Sequence, residues 1–325
     1  MKLAPFVDSS DGSGRTTPAD TVAQARITAA IAKMEIRQFR WSRLVALFIA
    51  FFGFSAWRIV SSIRPVEGEG GRGSRYTFLE YPETYDAVYA VYGFMSYTFH
   101  VNSFVFLVPL LGLVLGYGAV VTPRATGQLK TVLAFPCSRA AILIGTLLGR
   151  GIILTAVIGT GLLVGWITIL VQFETAQAGF YAAFSAATIG YGFVWLSIGF
   201  ALSSLFATPR RVAAAVFTVF IGFTFNWHEI AVNALGLFPD AYSVDPRQAY
   251  LILASAPYEE IIPKVHLAPH EDIDGFGTTV VGTQIAEVAA VPLHLSWPVA
   301  VCVLGLWIFV PLVITYNRLR RLSLT

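Results

Sequence analysis

Residues 140–171 read AAILIGTLLGRGIILTAVIGTGLLVGWITILV, 32 consecutive positions with a single charge, Arg150. A helix that crosses the roughly 30 Å hydrocarbon core of a bilayer needs about 20 apolar residues, so this stretch spans with length to spare. A surface helix of a soluble protein would present a polar face over such a distance. Working outward, five further stretches have the same character, at about 44–63, 96–121, 181–207, 212–232 and 296–316. The whole chain agrees with them. Of its 325 residues 56% are hydrophobic and only 13% charged, and the mean hydropathy is +0.67. A soluble domain carries about 25% charged residues, and a disordered chain combines low hydrophobicity with high charge; both classes are excluded. The expected fold is an all-α polytopic membrane protein with six transmembrane helices and the lipid bilayer as its solvent. A net charge of +3 is too small to point to nucleic acid.

Six spans put both termini on one side, and the cations say which. Sixteen of the 22 Lys and Arg residues fall on the side of the termini. They include Arg124, Lys130 and Arg139 between the second and third spans, Arg150 toward the inner end of the third, Arg210 and Arg211 between the fourth and fifth, and Arg318, Arg320 and Arg321 after the sixth. Positively charged loops stay in the cytosol, so the expected location is the cell membrane with both termini cytosolic. No short apolar region with a small-residue cleavage site precedes the first span, and no cleaved leader is expected.

Residues 1–16 are polar and rich in Gly and Ser, and read as a disordered cytosolic tail. Thr17-Pro18-Ala19-Asp20 has the chemistry of a helix start, with a capping hydroxyl and proline at the first helical position. Ala23, Ile27, Ala30, Ile31 and Met34 then recur at helical spacing, while Arg26, Lys33 and Arg37 fall largely elsewhere. The spacing predicts an amphipathic helix over 17–42, lying on the inner membrane surface and leading into a membrane domain over 43–325. The glycine-rich run at 67–74 reads as flexible, and the tyrosine-rich 76–97 as an interfacial segment. Residues 233–295, punctuated by six prolines, form a long outer connection. Within it Asp245 before Pro246 can cap a short helix through about Ala256. Its apolar pieces are too short to span and suit an extracellular cap of re-entrant or interfacial helices before the last span. Gly112 with Gly116, Gly145 with Gly149, and Gly161 with Gly165 lie four apart, a spacing that lets helices approach closely, within a subunit or across a dimer seam.

Much chemistry is missing. No G-x-x-x-x-G-K-[ST] loop occurs, so the chain is no P-loop ATPase itself, and there is no H-E-x-x-H. Cys137 and Cys302 make no CxxC site. The nearest approach to a reactive cluster lies on the outer side: His228-Glu229, and His266 with His270 beside Glu271 and Asp272. These residues carry the alternative reading, a membrane-embedded or metal-dependent hydrolase. Pro269 interrupts any regular helix between the two histidines, and the paired Glu259-Glu260 sits between prolines in a loop rather than within a span.

Between the second and third spans the chain reads GYGAVVTPRATGQLKTVLAFPCSR over residues 116–139. Leu129, Val132, Leu133 and Pro136 can form one apolar face of a short helix with Lys130 and Thr131 in water. Periodicity leaves open whether that face meets lipid or a soluble partner. A basic residue, a glycine, a leucine-rich turn and then Leu-x-x-Pro-x-Ser-Arg before a glycine-rich span resemble the hallmark of the ABC-2 family of transporter permeases. The match rests on Arg124, Gly127, Leu129, Leu133, Pro136, Ser138, Arg139, Gly145 and Gly149. Glu35-Ile36-Arg37 is similar to part of that family's elbow helix. Pro123 stands where the family often has an acid, and Thr146 where a lysine is common.

The resemblance implies a permease subunit of an ATP-driven transporter, an exporter or a maturation factor for copper enzymes such as nitrous oxide reductase. It implies that residues 123–139 form the coupling connection seated on an ATPase, with Arg124, Gly127, Leu129, Lys130, Val132, Leu133, Pro136, Ser138 and Arg139 at the contact. Two copies of a P-loop ATP-binding subunit and a second permease, identical in the simplest case, are the implied partners. The permease would be no enzyme and bind no cofactor, and ATP and Mg would sit on the ATPase. A path would form between the two permeases.

Overall fold

The computed structural model describes residues 18–40, 42–62, 86–95, 103–128, 138–173, 176–225, 244–258 and 296–321. The described residues are helical, with no strand among them. In chain order the helices are α1 (Pro18–Arg40), α2 (Arg43–Ser62), α3 (Asp86–Met95), α4 (Phe104–Tyr117), α5 (Val121–Ala125), α6 (Arg139–Gln172), α7 (Ala178–Leu205), α8 (Pro209–Phe225), α9 (Pro246–Ser255) and α10 (Trp297–Arg321).

Among the described residues five helices are long and apolar enough to cross a membrane: α2, α4 with its continuation through Ala125, α6, α7 and α10. The stretch expected to span at 212–232 is helical over Pro209–Phe225, 17 residues or about 25 Å. Its remainder lies outside the described residues, as do the tail over 1–16, the glycine run at 67–74 and most of the outer connection.

α6 is the spine of the molecule. Its 34 residues extend about 51 Å, well beyond a hydrocarbon core of about 30 Å. Ser138 caps it, its hydroxyl accepting from the Ala141 backbone N–H at 3.1 Å. The Gly145/Gly149 pair receives α1: a Cβ at Gly145 would lie 2.8 Å from the Ile31 Cβ, and one at Gly149 would lie 2.6 Å from the Glu35 Cβ. Ser138 also donates its backbone N–H to Gln24 Oε1 at 3.3 Å. These contacts rise through both helices in the same sense, so α1 runs beside the first turns of α6. α2 continues beside the second half, with Phe52 and Val164 closing on Gly161 and Gly53.

The face of α1 that is used differs from the face its periodicity suggests. Ala32 and Glu35 are buried, whereas Met34 is 43% exposed and Val22 52% exposed. Ala23 and Ala30 are exposed too. The glycine stripe of α6 admits a helix backbone closely only where that helix offers small residues, which favours Thr28 and Ala32 over Met34.

The other glycine pairs also pack inside the chain. Gly112 and Gly116 of α4 meet Trp195, Leu196 and Gly199 of α7, with Cα-level approach between Gly116 and Gly199. Gly165 faces Phe94 and Tyr181. Around them Phe52, Phe94, Phe104 and Phe184 form an aromatic centre, ring centroids 4.9–5.9 Å apart. From the tyrosine-rich segment, α3 contributes Ala90, Val91, Phe94 and Met95 to this core.

α9 is the short helix expected after Asp245. The Asp245 carboxylate accepts from the Arg247 backbone N–H at 2.8 Å and lies 3.5 Å from the Arg247 guanidinium. Burial pushes the Asp245 carboxyl above its ordinary range, against the pull of Arg247. Tyr250 stacks on Tyr191 at 4.4 Å and shares a 3.1 Å hydrogen bond with Thr188, while Trp307 Nε1 donates to the Val244 carbonyl at 2.8 Å. The helix is therefore pinned between α7 and α10.

Candidate functional site

Alternating chain direction brings the end of α4, the starts of α6 and α8, and the ends of α7 and α10 to one end of the bundle. Arg124, Arg210, Arg211, Arg318, Arg320 and Arg321 are exposed there. The described part of the connection between α4 and α6, residues 118–128 and Ser138, lies at this basic end.

The structure places four of the nine expected contact residues. Arg124 is exposed on α5. Gly127 has φ +76°, a left-handed conformation that glycine adopts without penalty, and open space surrounds it. Ser138 is the cap of α6 described above. Arg139 donates from its guanidinium to the Leu319 carbonyl in the last turn of α10, tying the connection to the final helix. Leu129, Lys130, Val132, Leu133 and Pro136 lie outside the described residues, as do Cys137 and the outer residues of the alternative reading, His228, Glu229, His266, His270, Glu271 and Asp272. Cys302 lies on an exposed face of α10.

The base of the connection is held by groups that sequence reasoning did not join. Arg150 is 4% exposed and Glu35 5% exposed. Arg150 Nε donates to Glu35 Oε2 at 3.0 Å. Arg150 Nη1 donates to the Leu115 carbonyl, and Nη2 to the Gly118 carbonyl at 3.3 Å. The guanidinium lies 5.2 Å from the Phe39 ring centroid and 5.9 Å from that of Phe200. Leu115 and Gly118 bracket the C-terminus of α4, whose last carbonyls have no partner within the helix and carry the negative end of its dipole. One planar fork thus caps α4, pairs with α1 and stacks on α7.

From the other side Ser203 of α7 accepts at Oγ from the backbone N–H groups of Val120 and Val121, both at 3.0 Å. These are donors at the start of α5 that the helix itself leaves unpaired. The α4–α5 joint is clamped by Arg150 at Leu115 and Gly118 and by Ser203 three to four residues before Arg124. A lone charge in an apolar run signals a partner, and Arg150, expected only as one of the cytosolic cations, is such a charge. Glu35, 115 residues earlier, is not.

The chain was compared with known proteins. The model of the ABC-2 family transporter protein matches residues 29–324. A probable ABC transporter permease protein, NosY, of Pseudomonas aeruginosa is 25% identical over 224 residues, covering 66% of this chain and 76% of the relative. The protein of the same name from Stutzerimonas stutzeri is 25% identical over 220 residues with the same coverage. The family match takes in α6 whole, the connection before it and the second half of α1, and this chain belongs to the ABC-2 family of transporter proteins.

Proposed function

We propose that this chain is the membrane-spanning permease subunit of an ATP-driven ABC exporter, and that residues 123–139 couple it to a separate P-loop ATPase. In this reading six helices span, with α8 completing the sixth, and both termini and the basic end face the cytosol. Two permeases pair, and two ATPase subunits bind beneath them. The observation that carries the reading is the clamped joint: Arg150 and Ser203 fix the α4–α5 corner, and Arg139 ties the far end of the connection to α10. A segment braced at both ends passes a push to the spans, whereas a slack loop absorbs it. The apolar face of Leu129, Val132 and Leu133 is the surface offered to the ATPase.

Affinity purification of the membrane-expressed chain tests this. A P-loop ATPase is expected to copurify, and Leu129→Asp or Leu133→Asp is expected to release it or to abolish ATP-dependent transport. Purification without any such ATPase, or unchanged transport in both variants, contradicts the proposal.

A further inference from the structure

Residues 119–138 leave the end of α4 and return at the start of α6, and Arg150 closes the base of this excursion. It binds both carbonyls at the end of α4 while standing on α6. Its Nε is taken by Glu35, which stands on α1, the helix immediately before the first span. The three elements therefore meet at one guanidinium, buried between the rings of Phe39 and Phe200. A structural cation needing only neutralisation could have taken any carboxylate. Here the carboxylate comes from a separate helix whose backbone is already pressed onto Gly145 and Gly149. Close packing between α1 and α6 and a directed three-way hydrogen-bonded fork both hold α1 against the start of α6 and the end of α4.

We infer that Glu35 and Arg150 are positioning residues that make α1, the end of α4 and the start of α6 one rigid coupling unit. A displacement at residues 119–138 then reaches α1, and through it α2, as well as the two helices the connection joins. The inference deepens the proposed coupling role and rests on it.

The test uses the full chain with its ATPase in lipid, in a Cys137→Ser, Cys302→Ser background. Spin labels go on Ala29→Cys of α1 and Thr126→Cys of the connection, both exposed positions. Inter-label distances are read without nucleotide and with ATP plus vanadate. The expected result is one narrow distance, the same in both states. Glu35→Gln keeps the side-chain volume and the α4 caps, and is expected to broaden the distribution and make it nucleotide-dependent while the protein still elutes as a folded complex. Arg150→Lys, which keeps the charge but loses the fork, is expected to do the same and decides the matter if Glu35→Gln does not fold. A wild-type distance that changes with nucleotide overturns the inference, as does a wild-type distribution in the folded variant. If no ATPase associates, the coupling role itself fails, while the nucleotide-free comparison of wild type with Glu35→Gln still judges the rigid unit.

Discussion

Arg150 and Glu35 form a buried pair whose worth lies in what happens when one member is lost. Arg150→Ala leaves a buried carboxylate without its partner and two carbonyls of α4 without a donor. Breaking such a pair costs about 3–5 kcal/mol. The expected outcome is a marked fall in the detergent-solubilised melting temperature. Replacing both partners, as in Glu35→Leu with Arg150→Met, is expected to recover much of that stability, since a buried pair is often no better than apolar groups of like volume. It is not expected to restore coupling. Melting curves and nucleotide-stimulated turnover measured on the same preparations separate the two effects. Ser203→Ala orphans two backbone donors and is expected to cost about 1–3 kcal/mol. Of this site the sequence shows a lone cation in an apolar run and a motif; it does not show which acid answers the cation. Glu35 sits in a segment where Arg26, Lys33 and Arg37 are exposed, and nothing local distinguishes it until α1 is laid on the α6 glycines.

Elements were legible where their ends carry local chemistry. Asp245 before Pro246 was expected to cap a short helix, and α9 begins there; Ser138, expected only at the ATPase contact, proves to be the cap of α6. The docking of α1 was harder to read, because its apolar spacing assumes a flat lipid surface and the real partner is a grooved helix. Gly149→Ala is expected to push α1 off α6, because the added Cβ would meet Glu35 Cβ at 2.6 Å and the Ala32 carbonyl oxygen at 2.8 Å. Overpacking of this kind costs about 1–3 kcal/mol. Faster tryptic cleavage at Lys33 or Arg37 is the readout. Gly159→Ala on the same helix, where nothing lies within 4 Å of the added Cβ, is expected to leave cleavage unchanged. At α9 the buried carboxyl of Asp245, pushed toward its neutral form, also serves as the cap. Asp245→Asn keeps the cap and is expected to be milder than Asp245→Ala by about 1 kcal/mol, measured by thermal unfolding.

At the scale of the molecule, composition alone implied helices in a bilayer, and the outward faces agree. Leu47, Phe54 and Trp57 of α2, Leu163, Ile167 and Val171 of α6, and Phe309 and Val313 of α10 are all exposed. A soluble monomer rarely exposes so much apolar surface, whereas lipid would cover it. In the proposed reading the basic end meets the ATPase. The most direct measurement places a photo-crosslinking residue at Thr126, exposed beside Arg124, and another at Gly179, exposed at the opposite end of the bundle. In intact membranes a crosslink is expected from Thr126 to a P-loop ATPase subunit and none from Gly179. A crosslink from Gly179 with none from Thr126 would contradict it.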